Sequence, residues 1–175
     1  MKILFVSQHY RPEPFRLSDI CEDLVERGHE VTVLTGIPNY PEGKIYADYR
    51  NKQNRRETIE GVTVFRSYTI PRGKSTLHRI LNYFSFAISS SIGVLLGQYK
   101  AKDGSEFDCV FVNQSSPVMM AWAGMAYKNK YKKPLFLYCM DVWPDSLTVG
   151  GVKQDSLIFK LFKFISKKVY RASDY

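Results

Sequence analysis

A parallel α/β sheet with helices on both faces, built as one domain over residues 1–175, is the architecture the sequence predicts. Three observations predict it. Short apolar runs of strand length recur along the chain, stretches of helical periodicity stand between them, and the two alternate throughout. The size agrees, since 175 residues suffice for one domain with a real core and fall short of two ordinary ones. Hydrophobic residues at 45% and charged residues at 24% set the composition apart from that of a disordered chain.

Residues 2–7 form a continuous apolar run, the pattern of a strand buried on both faces. Leu17, Ile20, Cys21, Leu24 and Val25 then recur at helical spacing, and Gly28 supplies a residue able to close the helix at positive φ. Residues 30–35 are a second strand, which completes a strand-helix-strand unit. Residues 36–60 show no strand or helical period and read as one long loop, functional or mobile. A short strand follows at 62–66. Leu77, Ile80, Leu81, Phe84, Ile88, Ile92, Leu95, Leu96 and Tyr99 trace a helical stripe after it. Residues 108–113 and 134–140 read as further strands. Ser116-Pro117 is expected to open a helix as N-cap and N1, and a last helix covers 156–171.

The charge balance, 25 Lys and Arg against 17 Asp and Glu, leaves +8 and favours anionic partners. No basic-aromatic nucleic-acid reader motif accompanies it, so no nucleic-acid partner is expected. Cys21, Cys109 and Cys139 are an odd number without C-x-x-C spacing, and they read as buried free thiols. The three histidines are scattered, so no metal is expected. The first residues lack a signal-peptide pattern, and a cytoplasmic protein is expected. The glycine, lysine, histidine and serine spacings of dinucleotide, P-loop, zinc-protease and hydrolase sites are absent from the sequence.

In an open parallel sheet, ligands sit beyond the carboxyl ends of the strands. The first such segment carries His9, Tyr10 and Arg16, and the second carries Asn39 and Tyr40, residue types suited to sugar hydroxyls. Asn113, Ser115 and Ser116 stand where a strand meets a helix N-terminus, a place for an anion or a simple cap. Asp141, Trp143 and Asp145 follow the penultimate apolar run directly. They read either as a ligand-facing cluster or as a structural turn in which Trp143 closes the core and Asp145 caps.

Taken together these residues resemble the N-terminal domain of the GT-B-fold, retaining glycosyltransferases of family 4, in the branch that builds O-antigen, capsule or exopolysaccharide. The resemblance rests on the opening Lys2-Ile3-Leu4-Phe5-Val6, on Tyr10-Arg11-Pro12-Glu13, and on the Arg27-Gly28-His29-Glu30-Val31-Thr32-Val33 run. Pro38-Asn39-Tyr40-Pro41 and Asp141-Val142-Trp143-Pro144-Asp145-Ser146 narrow the branch. It implies one Rossmann-like half of a GT-B fold, with the acceptor on this half and the nucleotide sugar held by a C-terminal half. The implied reaction is metal-free transfer of the sugar with retention, and the implied acceptor is a polyprenyl-linked glycan.

That donor-binding half is expected to be absent from residues 1–175, which would leave this chain inactive alone. Where family members often carry a glycine pair in the first loop, this sequence has Pro14-Phe15-Arg16, which shifts the expectation from diphosphate contact toward acceptor contact. Asp141 is the expected catalytic residue, and the other residues named above are expected to bind substrate. The alternative function is a non-catalytic acceptor-binding subunit of a split glycosyltransferase.

Two segments bear on membranes. Residues 80–99 hold no charge, yet Asn82, Ser85, Ser89, Ser90, Ser91 and Gln98 suit a soluble crossover helix better than a spanning one. The last helix carries Lys160, Lys163, Lys167, Lys168 and Arg171 without an acid. Its apolar side, Leu157, Ile158, Leu161, Phe162, Ile165 and Val169, is expected to pack on the sheet. The alternative lays this helix against the anionic inner-membrane surface, as a peripheral contact.

Overall fold

The computed structural model describes residues 1–73 and 75–175. Lys2–Val6 (β1) is the central strand, buried along nearly its whole length. Ile3 and Phe5 project into one apolar layer and Leu4 and Val6 into the other, so an uninterrupted apolar run is what this position requires. Leu17–Glu26 (α1) buries Leu17 and Cys21, and it ends as expected at Gly28, whose φ is +82°. There the His29 N–H bonds the Leu24 carbonyl at 3.0 Å and the Gly28 N–H bonds that of Val25 at 2.9 Å, satisfying carbonyls the helix end leaves open.

Glu30–Thr35 (β2) pairs parallel with β1. Residues 36–60 are not all loop. Arg56–Ile59 (β3) pairs antiparallel with Val62–Arg66 (β4), and the turn between them places Glu60 and Gly61 at φ +47° and +76°. This edge strand gives the parallel sheet one antiparallel member. It has a polar sequence because its inward-facing Glu57 answers a charge: the Arg66 side chain, fully buried, bonds Glu57 Oε1 through Nε at 2.8 Å and lies 4.5 Å over the Tyr49 ring.

Thr76–Leu95 (α2) is capped by Ser75, whose Oγ accepts the His78 N–H at 3.2 Å. Cys109–Gln114 (β5) follows, then a 3₁₀ turn at Val118–Ala121 that runs into Trp122–Tyr131 (α3). Pro117, not Ser116, occupies the position before that turn, in extended conformation, and no side chain caps it. The expected Ser116 cap is therefore not formed. Gly124 lets α3 lie close on the sheet, since a Cβ there would stand 2.4 Å from Val112 Cγ2. Leu135–Cys139 (β6), Ser146–Val149 (α4) and Leu157–Ala172 (α5) complete the chain.

The strand order is β3-β4-β2-β1-β5-β6. One face is covered by α1 and the other by α2, α3 and α5, the arrangement the sequence predicts. Chain order reverses between β1 and β5, which places the crevice of an open α/β sheet beyond Val6 and Gln114.

Two stripes turn out differently from expectation. Leu77, Ile80, Leu81, Ile88, Ile92 and Leu95 lie on the outer side of α2, which packs inward through Asn82, Phe86, Ala87, Ser90 and Val94. In α5, Phe162, Ile165 and Val169 pack as expected, together with Phe159 and Ser166, while Leu157, Ile158 and Leu161, expected to pack, are exposed with Phe164 beside the lysines. Periodicity alone could not choose the face, because each helix carries more apolar residues than one contact covers. Cys139 is likewise exposed, because β6 is an edge strand of the sheet; Cys21 and Cys109 are buried as expected.

Candidate functional site

The strand ends bring the predicted residues into three neighbouring groups. The first is a buried cluster around Glu13. Its Oε2 lies 2.9 Å from His9 Nδ1, and its Oε1 accepts the backbone N–H groups of Asn39 at 2.8 Å and Tyr40 at 2.7 Å. One carboxylate thus ties the loop after β1 to the loop after β2. His9 stacks on Phe15 with ring centroids 4.7 Å apart, and the Tyr40 ring stands 5.3 Å from Phe15. Asn39 is occupied structurally: its Nδ2 donates to the Ile37 carbonyl at 2.7 Å and its Oδ1 accepts the Arg72 N–H at 2.8 Å. Tyr10 is separate from this group. It is fully buried under α1, and desolvation pushes its phenol well above the ordinary value, so it serves the core.

The second group lines a smaller cavity of 370 Å³ between α1 and the ends of β5 and β6. Arg16, Asn113 and Ser115 meet Ile20, Tyr138 and Met140 there. Arg16 is almost wholly exposed, with only a 3.8 Å approach to Asp19.

The third group is a cleft of 830 Å³ between the start of α2 and the segment after β6. Ser116, Asp141, Trp143 and Asp145 line it, together with Arg79 and Tyr83, which sit one helical turn apart on α2. Ile80, Val142, Leu147, Val149 and Val152 make much of its wall apolar. Asp141 is half-buried, and its carboxylate is already engaged: Oδ1 accepts the Ser146 hydroxyl and Oδ2 the Trp143 indole N–H at 3.3 Å. Trp143 itself is buried, its ring 5.0 Å from Phe162, and its backbone N–H donates to the Tyr170 hydroxyl at 2.8 Å. Burial pushes the Tyr170 phenol up to about 12, with the Trp143 N–H opposing, so it stays protonated at neutral pH. Asp145 is exposed on the rim.

Beneath these groups, Gln8, two residues past β1, and Gln114, the last residue of β5, occupy equivalent positions in register. Gln8 Nε2 donates to Asn82 Oδ1 at 2.7 Å, and Gln114 Nε2 donates to the Asp141 carbonyl at 2.9 Å. Their carbonyl oxygens are buried and unpartnered among the described residues. Glu13, Arg79, Tyr83 and the two glutamines escaped the sequence reading. The available signal was Arg79 and Asn82, polar groups in the first two turns of a helix whose remainder holds no Asp, Glu, Lys or Arg. Among the described residues no group of three or more His, Cys, Asp and Glu side chains converges as a metal site requires.

The six-stranded, mostly parallel sheet flanked by helices is a Rossmann-like fold that a glycosyltransferase of known structure shares. The crystal structure of CalG4, the calicheamicin glycosyltransferase, superposes on 98% of this chain and 42% of its own with a TM-score of 0.51, at 13% identity, a likeness of fold. In sequence, the chain is 38% identical over 96 residues to WcaI of Escherichia coli (strain K12), a protein named as a colanic acid biosynthesis glycosyl transferase. That match takes in 51% of this chain and 23% of the relative, so the chain corresponds to a part of the longer protein's length. No family model matches the sequence.

Proposed function

We propose that this chain is the acceptor-side domain of a retaining, family 4 glycosyltransferase of the GT-B fold. It acts in surface-polysaccharide synthesis, taking a sugar from a nucleotide sugar to a polyprenyl-linked glycan. The observation that carries the reading is the cleft: an apolar wall suits the lipid end of such an acceptor, Arg79 suits its diphosphate, and Asp141 and Asp145 suit sugar hydroxyls. The likeness to WcaI over half the chain and the CalG4-like fold support it.

In this reading Asp141 is the catalytic residue. Ser146 and Trp143 fix its orientation, and the lone pairs they leave open accept from the acceptor hydroxyl as it loses its proton. No metal takes part. The donor nucleotide sugar is held by a second half, so residues 1–175 alone bind the acceptor and do not turn over. The protein works in the cytoplasm, against the inner membrane where its acceptor resides.

Calorimetric titration of the chain with a panel of nucleotide sugars tests the division of labour. The expected result is no measurable heat at millimolar ligand; micromolar affinity for any of them would contradict a donor site housed elsewhere.

A further inference from the structure

The outer side of α2 is apolar along its whole length, and among the described residues nothing covers it. Leu77, Leu81, Ile88, Ile92 and Leu95, with Leu96 just past the helix, are between 40% and 69% exposed. From Ile80 to Tyr99 the sequence holds no Asp, Glu, Lys or Arg, so no charge solvates this side. The helix meanwhile packs on the domain through a different side, with Phe86, Ala87 and Val94 in the core, which leaves the exposed residues surplus to the fold. Side chains exposed to this degree present roughly 600 Å² of apolar surface in one stripe, the upper end of what the largest patch on a monomer leaves open.

The spacing of the stripe defines the shape that fits it. Leu77, Leu81, Phe84, Ile88 and Leu95 fall at alternating steps of four and three, with Ser91 in the one remaining place. That is the seam of a helix that packs against another helix, each apolar side chain entering a gap between residues of the facing one. Phe84, near the middle, is half-buried, its ring 6.0 Å from that of Trp122, so the bulkiest side chain of the seam is held in place. A lipid surface asks for something else, cations beside the apolar stripe at headgroup level, and the stretch from Ile80 to Tyr99 has none. No described helix is long and apolar enough to cross a membrane either.

We infer that the outer side of α2 is the interface of a homodimer, occupied by the α2 helix of a second copy of this chain. Area and symmetry select this occupant. The stripe reads alike from both ends, since Leu77 and Leu95, Ile80 and Ile92, and Phe84 and Ile88 are pairs equally distant from Phe86. A two-fold axis crossing the helix at Phe86 sets the two copies antiparallel and brings apolar against apolar over the full length, the isologous contact of closed dimers. With Ile80, Phe84 and the intervening serines included, the pairing covers about 800 Å² on each copy, the size of a standard interface. The cleft stays open, because Arg79 and Tyr83 line it from another side of the helix, and Leu95 of the second copy comes to stand beside Leu77 at the end of α2 that borders it. The inference goes beyond the proposed function and does not depend on it.

Sedimentation equilibrium of the chain over a concentration series tests it. The expected result is the mass of two chains at the upper concentrations, in reversible exchange with one. Ile88→Glu combined with Ile92→Glu should raise the dissociation constant about 100-fold or more, because two carboxylates per copy then face an apolar wall. Leu157→Glu combined with Leu161→Glu, which are also exposed but on α5, should leave it unchanged.

A chain that stays a single copy at every concentration overturns the inference. So does a dimer that the α2 substitutions leave intact or that the α5 substitutions dissociate, either of which places the interface elsewhere. A single copy that floats with phosphatidylcholine vesicles, and no longer does so once Ile88 and Ile92 are replaced, would assign the stripe to lipid instead. Because both positions are exposed in one copy, the variant should melt like the dilute parent; a lowered curve is resolved with Ile88→Ser alone, which must still raise the dissociation constant about tenfold. A dimer that binds no lipid-linked sugar contradicts the proposed function and leaves this interface standing.

Discussion

Asp141 has a structural duty in the fold and a second, chemical one in the proposed function. Its carboxylate receives the Ser146 hydroxyl and the Trp143 indole N–H, so it holds the turn that closes the core around Trp143. It also lines the cleft, where in the proposed function its carboxylate orients a sugar hydroxyl. The two duties make different predictions for Asp141→Asn when a donor-binding half is present. If the carboxylate acts on the acceptor, turnover falls about 100-fold or more per folded molecule, with donor binding preserved. If it serves only the turn, the melting temperature falls and turnover per folded molecule stays near normal. Measuring both on one preparation separates them. Glu13 shows the purely structural counterpart: nearly buried, with both oxygens committed to His9 and to two backbone N–H groups, it aligns the first two strand-end loops.

At the scale of elements, the end of the chain is stitched to β6 and α3 by one carboxylate. Asp174 accepts the Lys128 ammonium at 2.6 Å and the Leu135 N–H at 2.9 Å, and these bonds hold its carboxyl below the ordinary range, Lys128 contributing most. The depressed value means that the folded state binds fewer protons than the unfolded state across that interval. The stabilisation is fully present above the unfolded carboxylate value of about 4 and is lost as the pH falls through the folded one. Asp174→Asn should therefore melt lower than the parent at neutral pH, with the gap closing on acidification below about pH 4. A gap that persists unchanged at low pH would show that the charge is not what holds the strand.

The elements also show what a single sequence can carry. β1, β2 and β5 were legible as strands buried on both faces, β4 by its alternation, and β6 by its apolar sequence although it lies at the sheet edge. β3 was not, because only Ile59 of its two inward positions is apolar and the other, Glu57, meets Arg66. The helices α2 and α5 were legible as helices and not in their orientation, since each has apolar residues on two sides.

At the scale of the whole molecule, the cavities lie where the topology leads one to look, near the reversal of strand order between β1 and β5 and along the adjoining cleft. Strand-end location was enough to place Asn113, Ser116 and Asp141 on cavity walls and His9 in the buried cluster around Glu13. It could not separate Tyr10, which turns into the core, from its neighbours, nor reach Arg79 and Tyr83, which arrive on a helix from the opposite wall.

The central claim is that this cleft receives a lipid-linked acceptor. Titration of the chain with a short-chain polyprenyl-diphosphate sugar, followed by tryptophan fluorescence, tests it most directly because Trp143 lies against the cleft. The account predicts saturable binding that Arg79→Ala and Ile80→Asp each weaken about tenfold or more, as expected for loss of a charge-assisted phosphate contact and for a charge set in an apolar wall. Absence of saturable binding, or binding that both substitutions leave unchanged, would contradict it.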